Sequence, residues 1–146
     1  MAFSTRDVRV ADSFARQNAM QFIGARLSRI EPGLAEIELP YRDELTQQHM
    51  FFHGGITTMI ADSAGGYAGY SLFPATSSVL TVEFKISLLA PACGERLVAT
   101  GRVIKPGRTL TICDLEVQAI NDGHATPVLK GLQTLICLHR KADRAA

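Results

Sequence analysis

The spacing of hydrophobic and polar positions changes several times along the chain, and each change marks an element. Val8, Ala11, Phe14 and Ala15 recur at helical spacing over about residues 4–18, with Ser4 or Thr5 placed to cap the start. From Met20 to Leu39 the period moves toward two, and Pro32-Gly33 supplies the turn between two strands. In the second strand Ala35, Ile37 and Leu39 alternate with Glu36 and Glu38, so one face meets water. A polar, irregular stretch from Pro40 to Phe52 follows. His53 to Leu72 returns to helical spacing, with Ile56, Met59, Ile60, Ala64, Tyr67 and Ala68 as its apolar stripe. Phe73-Pro74 ends that helix.

Beyond Pro74 the period is two again. Leu80, Val82, Phe84, Ile86 and Leu88 alternate strictly with Thr81, Glu83, Lys85 and Ser87, which predicts a half-buried strand. Leu97, Ala99, Gly101 and Val103 form the next alternation, and Lys105 to Arg108 reads as a hairpin connection. Leu110 and Ile112 share one parity while Leu115, Val117 and Ala119 share the other, so a β-bulge is expected near Cys113-Asp114. Asn121-Asp122-Gly123 makes a turn, Val128 to Leu138 a last strand, and the tail 139–146 is expected to fray. A helix, two strands, a long helix and three or four consecutive strands imply a curved antiparallel sheet covering one helix. The expectation is one α+β domain over residues 1–146, with its core at about 20–138.

Composition narrows the classes of partner. Hydrophobic residues make up 47% of the 146 and charged residues 20%, the balance of an ordinary globular domain. Lys plus Arg is 15 against 14 for Asp plus Glu, and no basic cluster interleaves with aromatics, so no nucleic-acid partner is expected. Cys93, Cys113 and Cys137 form no C-x-x-C pair, which suits a reducing cytosol and reads as buried hydrophobes. The first residues are polar and charged, and no apolar run is long enough to span a bilayer. A cytoplasmic protein without a membrane partner is expected.

The long helix carries the candidate chemistry. Opposite its apolar stripe lie Gly55, Thr58, Asp62, Gly65, Gly66 and Gly69, so Asp62 is the only charge on a face of very small residues. Each helical glycine costs about 1 kcal/mol relative to alanine, so something must approach closely, such as a partner subunit or a sheet edge. His53-Gly54-Gly55 opens the helix, where backbone N–H groups lack partners and carry the positive end of the dipole. Glycine there lets a carbonyl or oxyanion come close. An oxyanion donor at the helix start and a carboxylate base two turns on are thus possible. The eight residues from Gly54 to Asp62 rise about 12 Å, too far for one substrate atom. Two antiparallel copies facing across a two-fold axis would bring them together, so a dimer is expected.

HGGITTMIADSAGGYAGYSL, followed by VLTVEFKISLLAPACGERLVATGRVIKPGRTLT, resembles the hotdog-fold acyl-CoA thioesterases of the phenylacetate-degradation (PaaI-like) type. The likeness extends over about residues 20–138, and its H-G-G, Asp, T-V-E-F-K and P-A-x-G-E-x-L form a specific set. It implies a hotdog fold, a central helix wrapped by an antiparallel sheet, paired into homodimers and often homotetramers, with acyl-CoA as substrate and no cofactor. It implies that Asp62 activates water or attacks the thioester carbonyl, and that the Gly54 N–H polarises that carbonyl. Gln47 matches the amide that holds the water or the carbonyl, with Gln48 as the alternative, and Thr81 matches the hydroxyl that supports the acid.

Other candidates weigh less. His49 and His53 are four apart but lack a third ligand, so no metal is expected, and His53 reads as a helix-start residue bordering the substrate site with Gly55. Glu83 reads as a sheet-surface charge and a second candidate acid. No G-x-S-x-G supports a serine hydrolase. Among Arg102, Lys105 and Arg108, Arg108 fits a bidentate contact to coenzyme A phosphates best. The aromatics Phe51, Phe52, Tyr67, Tyr70, Phe73 and Phe84 suit an acyl pocket or the core equally. A non-catalytic acyl-CoA-binding or sensing module is the alternative, which Asp62 disfavours because a pure binder gains little from a desolvated carboxylate.

Overall fold

The start of the chain is fixed by its own polar residues. In the computed structural model, which describes residues 4–144, helix α1 spans Thr5–Ala15 and begins on a capping box. Ser4 Oγ accepts the Asp7 N–H at 3.2 Å, and the Asp7 carboxylate accepts the Ser4 N–H at 3.0 Å. Those bonds hold the Asp7 carboxyl below its ordinary range. A second short helix, α2 (Asn18–Ile23), replaces the alternation expected from Met20 onward. Met20 and Ile23 both turn into the core, and Gly24, at φ +80°, ends the helix in the left-handed conformation.

The rest is one sheet around one helix. Strands β1 (Arg26–Glu31) and β2 (Leu34–Pro40) precede α3 (Gly54–Tyr70), and β3 (Ser78–Leu88), β4 (Arg96–Lys105), β5 (Leu110–Asn121) and β6 (His124–Leu138) follow it. All neighbours are antiparallel, in the order β1-β2-β4-β5-β6-β3. Ile37, Leu97, Ala99, Leu115, Val117 and Leu135 on the inner face pack with Ile60, Ala61, Ala64 and Ala68 of α3. This is the α+β arrangement that the element order implies. No helix among the described residues is long and apolar enough to cross a membrane.

The glycines of α3 separate into two groups. A Cβ on Gly65 would lie 1.9 Å from Gln133 Oε1, and one on Gly69 would lie 2.3 Å from Leu135 Cδ1. A Cβ on Gly101 of β4 would lie 2.3 Å from the Gly65 nitrogen. Gly65 and Gly69 therefore serve close packing on the chain's own sheet, not on a partner. Gly66 alone meets nothing within 4 Å.

The bulges also fall elsewhere than the hydrophobic pattern suggested. Thr111, Cys113, Leu115, Val117 and Ala119 all point inward, and Cys113–Asp114 runs in register with Gln133–Leu132. Thr111 can face inward because its hydroxyl accepts the Gly107 N–H at 3.2 Å, and the Cys113 thiol meets the Gly65 carbonyl at 3.5 Å. The extra residue lies in β4, between Val103 and Lys105, opposite Cys113 and Ile112, and the β5–β6 pairing shifts between Val117 and Gln118. Another irregularity interrupts β3 between Thr81 and Glu83. Thr81 pairs with Leu135, Phe84 with Gln133, and Leu88 with Leu129, and these β6 partners are all buried. The extra residue, Val82, thus turns Thr81 onto the helix side together with Phe84 and Leu88. Without the bulge Thr81 would face away from them.

Two margins remain. Strand β3 is an edge, and Leu80, Val82 and Leu88 there are 57%, 56% and 56% exposed, so it is not half-buried within this chain. At the carboxyl end Arg16 donates to the Asp143 carboxylate at 3.2 Å and to its carbonyl at 2.7 Å. The tail is held against α1 that far, and residues 145 and 146 of the expected frayed tail lie outside the described residues.

Candidate active site

The start of α3 leaves the backbone donor of Gly54 free. His53 is the N-cap, extended at φ −61° and ψ 138°, and its Nδ1 accepts the Gly55 N–H at 2.9 Å. The Gly55 donor is thereby used within the helix start. Among the described residues no acceptor pairs with the Gly54 N–H. Gly54 lines a cavity of about 490 Å³ with Gln47, Phe51, Phe52 and Leu88. The loop that brings Gln47 there is closed by Gln47 N–H to the Phe51 carbonyl and Met50 N–H to the Gln47 carbonyl, both at 2.9 Å. Gln47 Oε1 accepts the His49 N–H, which leaves the Gln47 amino group available to a ligand.

Two turns further, Asp62 is held from two strands. Its Oδ1 accepts from Thr81 Oγ1 at 2.7 Å and from Gln133 Nε2 at 2.6 Å. Gln133 Nε2 also lies 3.0 Å from the Asp62 carbonyl and 3.1 Å from Thr81 Oγ1. Among the described residues Asp62 Oδ2 has no hydrogen-bond partner. Asp62 and Thr81 line a second cavity of about 300 Å³, bordered by Gln17, Gly66, Tyr67 and Asp143. Ser63 donates to Gln17 at 3.1 Å, which ties the α1–α2 junction to this rim.

Gly54 and Gln47 thus meet in one cavity, and Asp62 and Thr81 in another. Within one chain the two lie about 12 Å apart along α3. Gln133 escaped the sequence reading. Its signal was a polar residue on the inward parity of β6, shared with Leu135 and Cys137.

Apart from three aromatics, the remaining candidates lie outside both cavities. His53 caps α3, His49 is exposed in the preceding turn, and Gln48 is exposed beside it. Glu83 is exposed and accepts from Thr134 at 3.2 Å, as a sheet-surface charge would. Arg108 is exposed on the β4–β5 hairpin, where its carbonyl bonds His139 Nε2 at 2.7 Å. Cys113 and Cys137 are buried but Cys93 is exposed, and burial pushes the Cys113 thiol up to about 12. Of the aromatics, Phe51 and Phe52 border the Gly54 cavity and Tyr67 the Asp62 cavity, while Phe73 lies in the core. A groove of about 1110 Å³ between α1 and the tail is larger than either cavity, and of these groups Tyr70 alone lines it. Its Arg9 is spent on the carbonyls of Tyr70, Phe73 and Pro74, and its Arg16 on Asp143.

Known proteins are similar to this chain in sequence and fold. The thioesterase superfamily profile matches residues 49–125, the stretch that contains His53, Gly54, Asp62 and Thr81. The crystal structure of a thioesterase family protein from Silicibacter pomeroyi is similar at 45% identity and a TM-score of 0.90, over 92% of this chain and 98% of its own. A Halobacterium salinarum protein with a provisional esterase name is 30% identical over 103 residues, 67% of this chain and 68% of its own. The E. coli PaaI protein from the phenylacetic acid degradation operon superposes with a TM-score of 0.83 over 97% of this chain and 99% of its own. Its identity is 19%, so that likeness concerns the fold.

Proposed function

The chain belongs to the thioesterase superfamily, has the α+β hotdog fold and is a thioester hydrolase, and on that premise we propose that it cleaves acyl-CoA at sites shared by two subunits. The acyl group is aryl or of short to medium chain length. The thioester carbonyl of the substrate rests on the Gly54 N–H of one subunit, with the Gln47 amino group as a second donor. Asp62 comes from the other subunit. As base, its Oδ2 takes a proton from water while the water oxygen bonds to the carbonyl carbon; as nucleophile, Oδ2 bonds to that carbon itself. The Gly54 N–H meets the oxyanion that forms. The carbon–sulfur bond then breaks, and coenzyme A leaves as the thiolate and takes up a proton. In the base route the free acid is already formed; in the nucleophilic route water then cleaves the Asp62–acyl anhydride to release the acid and restore the carboxylate.

One observation carries this reading: a free donor and a free carboxylate oxygen sit about 12 Å apart on one helix, beside an uncovered strand edge. Edges of this kind are normally blunted by charge or covered, and this one carries Leu80, Val82, Phe84 and Leu88. A second copy of β3 is the partner we assign to it. The motive for a dimer therefore moves from the glycine face to the strand edge. Leu110, Ile136 and Leu80 form an apolar row across the outer face of β5, β6 and β3, which favours a dimer of dimers. Arg108 at the hairpin is the proposed contact for the coenzyme A phosphates, and His53 and Gly55 shape the entrance by fixing the start of α3.

A panel of acyl-CoAs with a thiol-reactive dye tests the activity. Release of free coenzyme A from an aryl or short-to-medium-chain substrate is expected; binding without release across the panel would point to a sensing module. Val82→Asp tests the shared site. Its side chain is exposed, so the subunit should fold, but the new charges would meet near the two-fold. Light scattering is expected to show a monomer whose activity is lower by about two orders of magnitude. A fully active Val82→Asp monomer would end the shared-site reading.

A further inference from the structure

We infer that Gln133 is a positioning residue, which immobilises Asp62 Oδ1 so that Oδ2 alone reacts, and that Gly65 exists to admit its carboxamide. This rests on the thioesterase role of Asp62. Gln133 is 1% exposed, and its amino group reaches three acceptors, Asp62 Oδ1, the Asp62 carbonyl and Thr81 Oγ1. These belong to two elements, α3 and β3, while Gln133 stands on β6. One amide therefore ties together the three elements that frame the carboxylate.

The other end of the amide shows what this arrangement costs. Gln133 Oε1 is buried without a partner. It lies over Gly65, where any Cβ would come within 1.9 Å. Turning the amide over would aim its oxygen at a carboxylate and a backbone carbonyl, both acceptors, so the orientation is fixed. A buried carbonyl oxygen left unpaired is unfavourable, and is retained where the opposite end of the group is needed. Here that end holds Asp62. Oδ1 already accepts two hydrogen bonds, and Oδ2 is the oxygen left to act.

The charged and titratable groups around Asp62 leave Gln133 and Thr81 as the groups that hold it directly. Tyr67 comes from α3 itself, Cys113 of β5 lies beyond Gly65, and β3 contributes the uncharged Thr81. Asp143 of the tail borders the same cavity but is paired with Arg16 of the α1 end. Apart from the Thr81 hydroxyl, none of them donates to Asp62.

Gln133→Met keeps the length of the side chain and removes its donors. The folded variant is expected to lose about tenfold to a hundredfold in kcat, the scale of a misaligned reacting group, with KM changed by less than about twofold. A merely structural residue would lower Tm and leave kcat and KM of the folded protein in place. Gly65→Ala and Gly69→Ala provide a second route, usable even where Gln133→Met fails to fold. Both overpack α3, the first against Gln133 and Leu115 and the second against Leu135. Gly65→Ala should reproduce the loss of kcat, while Gly69→Ala should lower Tm and keep kcat. A folded Gln133→Met enzyme with wild-type kcat, or equal kcat in the two glycine variants, would overturn the inference. Asp62→Asn assayed in parallel separates the causes: if that variant still turns over, the role of Asp62 has failed, not the role of Gln133 alone.

Discussion

Asp62→Asn protein is expected to fold, to bind acyl-CoA, and to turn it over at least about a hundredfold more slowly than the wild type. The surroundings of Asp62 determine how the new amide will lie. Two donors, the Thr81 hydroxyl and the Gln133 amino group, converge on the position of Oδ1, so the amide oxygen must occupy it. Its NH₂ group then takes the place of Oδ2 and faces the cavity. An amino group there can neither accept a proton from water nor attack a carbonyl. The fold loses nothing, since both existing hydrogen bonds survive. Coenzyme A release gives kcat, and calorimetry with intact acyl-CoA gives binding. Wild-type turnover by this variant would displace Asp62 from the mechanism and make Glu83 the next acid to replace.

Gly54→Pro should depress kcat by about 10²–10³ while leaving KM much closer to the wild-type value, as loss of one oxyanion donor does. Proline removes the N–H without adding a new donor. The site tolerates it for three reasons. Gly54 is the first residue of α3, where proline is favoured. His53 before it is extended, as a residue preceding proline must be. The contact a Cβ would make is with the flexible Leu88 side chain, at 3.0 Å. Circular dichroism and light scattering should match the wild type. A variant that binds far more weakly yet turns over normally at saturation would mean that Gly54 only shapes the cavity. Gln47 would then be the donor to examine, because His53 already holds the Gly55 N–H.

The elements that cover a continuous core were legible in the sequence. In α3, β2 and β4 one face is buried throughout, so the period of apolar positions and the direction of the side chains agree. The candidate carboxylate on α3 was legible for a related reason: a lone carboxylate among very small residues has no solvating purpose. What stayed hidden depends on pairing between distant segments. The alternation from Leu80 to Leu88 reads the same with or without a bulge at Val82, yet that bulge decides whether Thr81 reaches Asp62. Gly65 and Gly69 announced a close approach but not by what, since a small side chain carries no mark of its neighbour. Thr111 gives no sign in the sequence of facing inward, because its burial depends on a partner in Gly107. Gln133 needed the β6 register before its polarity meant anything.

The shared site is tested most directly by mixing the two inactive variants. Asp62→Asn and Gly54→Pro chains, co-expressed with different tags in equal amounts, would form hybrid dimers as half of the population. With the donor and the carboxylate contributed by different subunits, each hybrid has one intact site and one doubly defective site. Activity should then recover to about a quarter of the wild-type value, as two-fold symmetry and random pairing require. If donor and carboxylate came from the same subunit, every site in every hybrid would carry one defect. The mixture would then show no activity above that of its parents, and that result would contradict a site completed across the dimer.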